Sequence, residues 1–376
     1  MLIDNIEVKV NVLILSMEHE IEVLLGTLES LMLDLEDGVI VSVLLNGGSS
    51  KDLRENLGRY PSIRYYESSR NLGVAGGRKF LCSTEEFKAS DVILFLDNDV
   101  IVPRGYVRKI TGHLVSDPGM GAAGAVVLDI KQYYSKLEKF KRDTGGLIPS
   151  TYDVSIDDLK TMFLAAPTSK GLFHIGTHPN WVLAYLMPVA FIQTAFRKFA
   201  QYFGKKSNFN TNLKEDIRYL KLIESSPRIE VSNIAGCCQS FRRSLLEEIG
   251  TFDDAFSPYG MEDVDFNVRA KKAGYRNFTM CDTWLLHGTD TRHKERNQEK
   301  SFENTYRVLT LFAYKHAPRL IFKQLVLLRI WSNWFLLKKK KNPNAQAYYE
   351  AQMRGLRLGL QELDNRKSAG VIQTTA

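Results

Sequence analysis

Cysteine is scarce in this sequence, and what there is has no chemical spacing. Cys82, Cys237, Cys238 and Cys281 are the 4 cysteines among 376 residues, and they form no C-x-x-C pair. That excludes a disulfide-stapled secreted scaffold and a thiolate zinc ribbon. Reduced, buried thiols in a cytosolic protein are expected instead, and adjacent Cys237 and Cys238 are too close to bridge each other without strain. No uninterrupted apolar run reaches the roughly 18–20 residues that a membrane-spanning helix needs. The opening Met1-Leu-Ile-Asp-Asn-Ile-Glu7 has neither a basic start nor a long apolar stretch, so no signal peptide is expected. Internal repeats and long low-complexity tracts are missing too, which excludes solenoid architectures. With 44% hydrophobic and 25% charged residues the chain is globular. Its length calls for more than one structural unit.

The net charge of +7 is unevenly placed. Residues 1–130 carry 12 basic and 19 acidic side chains, and 233–295 carry 8 and 10. Residues 131–232 carry 15 and 9, and 296–376 carry 15 and 5. An acidic core therefore holds two basic attachments. An anionic membrane and nucleic acid are the partner classes that basic surface suits. The basic residues accompany long apolar stretches and no nucleic-acid-binding motif occurs, so no nucleic-acid partner is expected.

The first 130 residues alternate apolar, β-branched runs with helical periodicity. Val8–Ser16, Val39–Leu45, Ser62–Glu67 and Asp91–Leu96 read as strands. Glu20–Leu33 reads as a helix, and a second is expected to follow Asn71-Leu-Gly-Val-Ala-Gly-Gly77 through Phe87. Such alternation predicts an α/β fold with a mainly parallel sheet and flanking helices. Ligands of such sheets sit at the C-terminal strand ends, which makes the loops 46–52, 71–79 and 97–99 the expected site. Residues 131–232 break the rhythm as a partly helical insertion. The pattern resumes over 233–295, and 296–376 reads as helical to the end.

Asp97-Asn98-Asp99 follows a strand directly. Two carboxylates so placed suit Mg²⁺ or Mn²⁺, hard cations that also bind phosphate oxygens, although many such triplets are solvated turns. Downstream lies Gly250-Thr-Phe-Asp-Asp-Ala-Phe-Ser-Pro-Tyr-Gly-Met-Glu262-Asp263-Val-Asp265. Its last acids open a helix, where they favour the positive end of the helix dipole, and one of them can also serve as general base toward a hydroxyl. His287 follows an apolar run, where a lone histidine is more often structural than a ligand.

In their order these residues resemble the inverting nucleotide-sugar glycosyltransferases of family 2. Leu44-Leu-Asn46-Gly-Gly-Ser-Ser-Lys-Asp52 is similar to that family's V-D-N-G-S-x-D block, and Asn71-Leu-Gly-Val-Ala-Gly-Gly-Arg78-Lys79 to its N-x-G-x-A-x-x-R-N block. Asp97-Asn98-Asp99 matches its D-x-D, and Gly250 through Gly274 its acceptor-side E-D block. The resemblance spans residues 8–130 and 233–290. It implies a Rossmann-like GT-A core that binds donor through Ser16, Glu18, Asn46, Asn71, Gly73, Arg78, Asp97 and Asn98. Asp97 and Asp99, with His287, would hold Mn²⁺ or Mg²⁺. Asp263 would deprotonate the acceptor, and Glu262 would contact the acceptor or hold its loop. Asn46 stands where an Asp commonly meets a pyrimidine base, so UDP- or dTDP-sugar is expected with GDP left open. Lys79 replaces the family's Asn.

Two apolar–basic segments suggest the acceptor. Leu320–Leu337 contains Trp331 and Trp334 and precedes Lys338-Lys-Lys-Lys341, the pattern of a helix lying on an anionic membrane or of a packing helix with a solvated turn. The run Trp181–Phe196 is similar and precedes Arg197 and Lys198. Together they imply a peripheral protein on the cytoplasmic face, working on a polyprenyl-linked glycan in cell-surface polysaccharide assembly. A soluble or protein-bound acceptor, and a nucleotide-sugar-binding scaffold without turnover, are the alternatives.

Overall fold

A computed structural model describes residues 1–33, 35–144, 150–165, 173–174, 220–221, 223–288 and 298–369. The Trp181–Phe196 run lies outside them. A hairpin of β1 (Leu2–Ile3) and β2 (Ile6–Glu7) precedes the main sheet. There β3 (Val10–Ser16), β4 (Val39–Asn46), β5 (Ile63–Ser68) and β6 (Val92–Asp97) lie parallel in the order β6-β3-β4-β5. β3, β4 and β6 are almost wholly buried, as continuous Val/Ile/Leu runs must be when helices cover both faces. Those helices include α1 (Ile21–Met32), α2 (Lys51–Leu57), α3 (Gly73–Leu81) and α4 (Glu85–Lys88). The single helix expected through Phe87 is two. Thr84 interrupts it by turning its hydroxyl onto the Phe87 amide at 3.3 Å, which starts α4 afresh.

The chain continues through β7 (Val100–Ile101), α5 (Tyr106–Ser116), β8 (Met120–Asp129), α6 (Ile130–Thr144), α7 (Ile156–Ala165), β9 (Phe173–His174) and β10 (Arg228–Val231). Then come β11 (Cys238–Arg242), α8 (Arg243–Ile249), α9 (Glu262–Lys272) and β12 (Arg276–His287). The sheet has 10 strands in the order β10-β12-β8-β11-β6-β3-β4-β5, with β7 on β12 and β9 on β8. β12, β8, β6, β3, β4 and β5 share one direction, while β10 and β11 oppose it. The fold is thus mixed α/β with a mainly parallel sheet. Because the shared direction spans both halves, Ser16, Asn46, Asp97 and His287 all end strands at the same edge. All four cysteines are free and buried.

The C-terminal region is helical: α10 (Gln298–His316), α11 (Phe322–Lys339) and α12 (Ala345–Ser368). It packs on the core rather than hanging from it, because Tyr306, Leu309, Phe312, Val326 and Leu356 share a buried cluster with Ala75 and Phe256. α12 crosses α10 closely through two glycines; a methyl on Gly355 would lie 2.2 Å from the Glu303 carbonyl.

A buried ionic cluster joins the two layers. Fully buried Asp265 on α9 accepts from Arg269 Nε at 2.8 Å, Lys315 Nζ at 2.9 Å and His316 Nε2 at 2.8 Å. Burial opposes ionisation of Asp265, but His316, Lys315 and Arg269 outweigh it and hold its pKa at about 2. A carboxylate depressed in the fold contributes stability above its unfolded pKa of roughly 3.9, lost as pH falls through the folded value. Asp265→Asn should therefore lower stability at neutral pH by about 3–5 kcal/mol, the range for breaking a buried ion pair from one side. It should also flatten the acid limb between about pH 4 and pH 2. Urea unfolding at several pH values checks both, and an unchanged acid limb would exclude Asp265 as the group that sets it.

Candidate active site

The acidic triplet and His287 meet because β7 turns back from β6 and pairs with β12. His287 is opposite Val100 in register, and the Gly288 amide donates to the Asp99 carbonyl at 3.3 Å. His287 Nε2 thereby lies 3.2 Å from Asp99 Oδ1 and 3.5 Å from Asp97 Oδ2. One ligand atom from each of the three lies within 4.8 Å of the others. Burial works against a charged imidazole here, but hydrogen bonds to Asp97 and Asp99 push the His287 pKa up to about 10. Asp99 is buried and Asp97 half-buried, so the cluster opens on one side. Two hard oxygens and one imidazole nitrogen make a donor set that fits Mn²⁺.

Asn98, between the two acids, points the other way. Its Nδ2 donates to Ser16 Oγ and to Glu20 Oε2, each at 2.9 Å, so Asn98 and buried Ser16 brace the triplet against the β3 turn. Asn46 is also a brace. Its Nδ2 donates to Asn71 Oδ1 at 3.1 Å and to the Gly73 carbonyl at 3.2 Å, while its Oδ1 accepts from the Leu72 amide at 2.8 Å. At 3% exposure both ends of its amide are spent on the 71–73 turn. Exposed Glu18 and Asn71 face a recess of about 400 Å³, whose lining also includes Met17, His19, Asn46 and Gly47.

Gly73 carries φ +72° and packs against the acceptor-side loop, where a β-carbon would lie 2.7 Å from Pro258 Cα. The Val74 amide donates to the Pro258 carbonyl at 2.6 Å, and Ser257 Oγ to the Leu72 carbonyl at 3.0 Å. The turn expected to hold donor therefore also locks the two matching halves together. Lys79 pairs with Asp254 at 3.1 Å on the rim of that contact.

Arg78 is the link between the triplet and the E-D block. At 4% exposure its guanidinium is flanked by the Phe95 and Phe252 rings, each centroid 5.3 Å away. Its Nη2 donates to the Gly236 carbonyl at 2.8 Å and lies 3.7 Å from Asp97 Oδ1, while its Nη1 is buried without a hydrogen-bond partner among the described residues. The Asp263 carboxylate also lies beside Gly236, where a methyl group would sit 3.1 Å from Asp263 Oδ2 and 3.5 Å from Arg78 Nη2. Asp263 Oδ1 accepts from the Val264 amide at 2.8 Å, which leaves Oδ2 as its open oxygen. Burial raises the Asp263 pKa, with Arg78 pulling in the opposite direction. Glu262 differs. Its Oε2 accepts from the Gly260 amide at 2.7 Å, and burial followed by the Asp263 charge pushes it up to about 7. Met261 supplies the turn in front of them with a left-handed φ of 68°, a backbone cost of roughly 1 kcal/mol or more.

The residues that hold this loop were not singled out from sequence. Asn304 Nδ2 donates to the Tyr259 carbonyl at 2.8 Å, Arg307 Nη1 to the Ala255 carbonyl at 3.1 Å, and Arg307 Nη2 to the Ser257 carbonyl. Lys315 pairs with Asp253 at 3.0 Å. All sit on α10, whose periodicity reads as a packing helix and does not say what it packs on. Gly236 was passed over for a related reason, since its contribution is a carbonyl and a missing side chain.

The sequence matches the family described as Glycosyl transferase family 2 over residues 13–164, and that described as N-terminal domain of galactosyltransferase over 218–294. No curated protein matches it in sequence. Among solved structures, GalNAc-T7 with UDP, GalNAc and Mn²⁺ superposes with a TM-score of 0.51 at 13% identity, over 97% of this chain. The chain spans 58% of that protein's length. The Pyrobaculum calidifontis mannosyltransferase PcManGT with GDP-Man and Mn²⁺ gives 0.46 at 14% identity, covering 98% of this chain and 78% of its own. S. aureus TarS 1-349 gives 0.43 at 11% identity, covering 84% and 69%. The first of these likenesses is one of GT-A fold.

Proposed function

We propose that this chain, whose residues 13–164 match glycosyl transferase family 2, moves a sugar from a nucleotide-sugar donor to a glycan hydroxyl with inversion of configuration. One observation carries the reading. The cation-ready cluster of Asp97, Asp99 and His287 and the Asp263 carboxylate both lie close to the buried guanidinium of Arg78, the first through Asp97 Oδ1 at 3.7 Å and the second beside Gly236. Two distinct acidic groups in one site divide the duties a displacement needs, with leaving-group charge handled by one and a proton taken by the other.

Asp97, Asp99 and His287 would hold Mn²⁺ or Mg²⁺, which when bound supplies positive charge toward a diphosphate. The protein's own groups do the rest. The recess by Glu18 and Asn71 receives the nucleoside, and the Asn46 brace fixes its wall. Asp263 Oδ2 accepts the proton of the acceptor hydroxyl as that oxygen bonds to the anomeric carbon and the carbon–diphosphate bond breaks. Glu262, tied to Gly260, shapes the loop on which Asp263 sits. Arg78 offsets the repulsion between Asp97 and Asp263.

The acceptor is proposed to be lipid-linked, in polysaccharide assembly at the cytoplasmic face of a membrane. Among the described residues no helix is long and apolar enough to cross a membrane. Support for peripheral docking comes from α11, where Trp331 is 50% and Phe335 51% exposed. Trp334, expected at the headgroups alongside Trp331, packs against Tyr349 at 5.7 Å instead. Hydrolysis of UDP-, dTDP- and GDP-sugars, with and without Mn²⁺, tests the catalytic reading. Metal-dependent release of nucleoside diphosphate from one donor is the expected result. Release from none, together with retained donor binding, would make the chain a binding scaffold.

A further inference from the structure

α11 is apolar on two sides, and only one of them is used. Phe322, Leu325, Val326 and Ile330 are buried against the helical layer. On the opposite side Leu327, Trp331 and Phe335 are 42%, 50% and 51% exposed, and Leu320, in the turn before the helix, is 89% exposed. The three helical residues recur at intervals of four and so fall on one stripe of a helix about 27 Å long. Trp331 and Phe335 stack on each other at 5.9 Å between centroids, which presents one flat aromatic surface outward. Exposed Lys323 and Lys338 lie along the same stripe, and Lys340 and Lys341 extend it. A soluble surface gains nothing from such a row, whereas apolar side chains flanked by cations match the acyl and headgroup layers of an anionic bilayer.

One end of the stripe is more than a charged edge. A recess of about 330 Å³ opens between the start of α11 and the end of α12, lined by Arg319, Lys323 and Lys367 among others. The Arg319 guanidinium lies over the Tyr314 ring, 3.6 Å from its centroid, and lines the recess. Lys367 stands 5.2 Å from the same ring and 3.5 Å from Asp364, the one acid in the lining. Leu320 is at the mouth. Three cations around a headgroup-sized recess, next to an exposed leucine and in line with an aromatic stripe, describe a site for a lipid phosphate.

We infer that Arg319, Lys323 and Lys367 bind the phosphate of an anionic phospholipid while Leu320, Leu327, Trp331 and Phe335 enter the acyl boundary, laying α11 flat on the membrane. This deepens the membrane reading given above and rests on it. Cosedimentation of the full chain with phosphatidylcholine vesicles, with and without phosphatidylglycerol, tests both levels. The wild-type chain should bind the phosphatidylglycerol vesicles, and Trp331→Ser/Phe335→Ser should release it. Arg319→Gln/Lys323→Gln/Lys367→Gln should lower partitioning by well over the hundredfold or so that three independent surface cations, at about fivefold each, would account for. The charge-matched variant Lys338→Gln/Lys340→Gln/Lys341→Gln should lose less. Equal losses in the two triple variants would overturn the phosphate site and leave a diffuse field. Wild-type protein that ignores both vesicles would overturn the membrane reading and the site together. Inorganic phosphate should leave the melting temperature unmoved; a shift with phosphate that the Arg319 variant abolishes would overturn the lipid as ligand in favour of a soluble phosphate.

Discussion

Asp263→Asn should lower turnover by about three orders of magnitude while donor affinity stays within a few-fold of wild type, since general bases contribute roughly 10²–10⁴-fold. The substitution keeps the shape of the side chain and its Oδ1 contact with the Val264 amide at 2.8 Å, so the loop is not expected to move. What it removes is the carboxylate oxygen, Oδ2, proposed to take the acceptor's proton. Glu262→Gln is the informative comparison. Glu262 is raised to about 7, which by acidity alone would suit a base near neutral pH. Geometry argues the other way, because its carboxylate is buried and tied to Gly260 at 2.7 Å. Glu262→Gln should therefore retain most turnover, with its effect on acceptor KM. Single-turnover transfer and donor titration on both variants decide the matter. Full turnover in Asp263→Asn, or the larger loss in Glu262→Gln, would remove Asp263 as the base.

Much of the fold was legible because the sheet announces itself. Val10–Ser16, Val39–Asn46 and Val92–Asp97 are runs that only a doubly covered parallel sheet tolerates, and each ends in a residue that reaches the site edge. The triplet could be read as a cation site for the same reason. The roles within the site were less legible. Asn46 and Asn98 stand in donor-binding blocks, but their amides are spent on neighbouring loops, and no spacing rule tells an amide that reads a ligand from one that braces a turn. The C-terminal region hid more. Its basic, Trp-containing stretch reads as an attachment, but α10 grips the Ala255–Tyr259 backbone and α12 closes over α10. Removing residues 318–376 would uncover that cluster, so vesicle binding is better probed by point substitutions on α11. Backbone carbonyls and close helix crossings leave almost no trace in residue identity.

Exhaustive chelation with EDTA should abolish transfer, and Mn²⁺ should restore it at lower concentration than Mg²⁺. The preference follows from the donor set. Asp97 and Asp99 offer oxygens that suit either ion, but the His287 nitrogen is a ligand that Mg²⁺, with its demand for oxygen and its reluctance to shed water, uses poorly. Substitutions should rank the three ligands. Asp99 is 7% exposed and held by the β7 turn, so Asp99→Asn removes a charge that nothing nearby can replace. Its Mn²⁺ affinity should fall by more than the roughly 10–100-fold that loss of an outer-shell partner costs. Half-exposed Asp97 also balances Arg78 at 3.7 Å, so Asp97→Asn should weaken Mn²⁺ and in addition alter the environment of Asp263. His287→Asn keeps both carboxylates and should be the mildest for Mn²⁺. It should nevertheless lower the melting temperature of the metal-free protein, where the imidazole lies 3.2 and 3.5 Å from the two acids and offsets their repulsion. Mn²⁺ should recover most of that loss, because the ion takes over the same balancing charge. Mn²⁺ titration by electron paramagnetic resonance, paired with melting curves with and without the ion, reads both effects. Transfer that survives chelation, or unchanged Mn²⁺ affinity in Asp99→Asn, would exclude this cluster as the cation site.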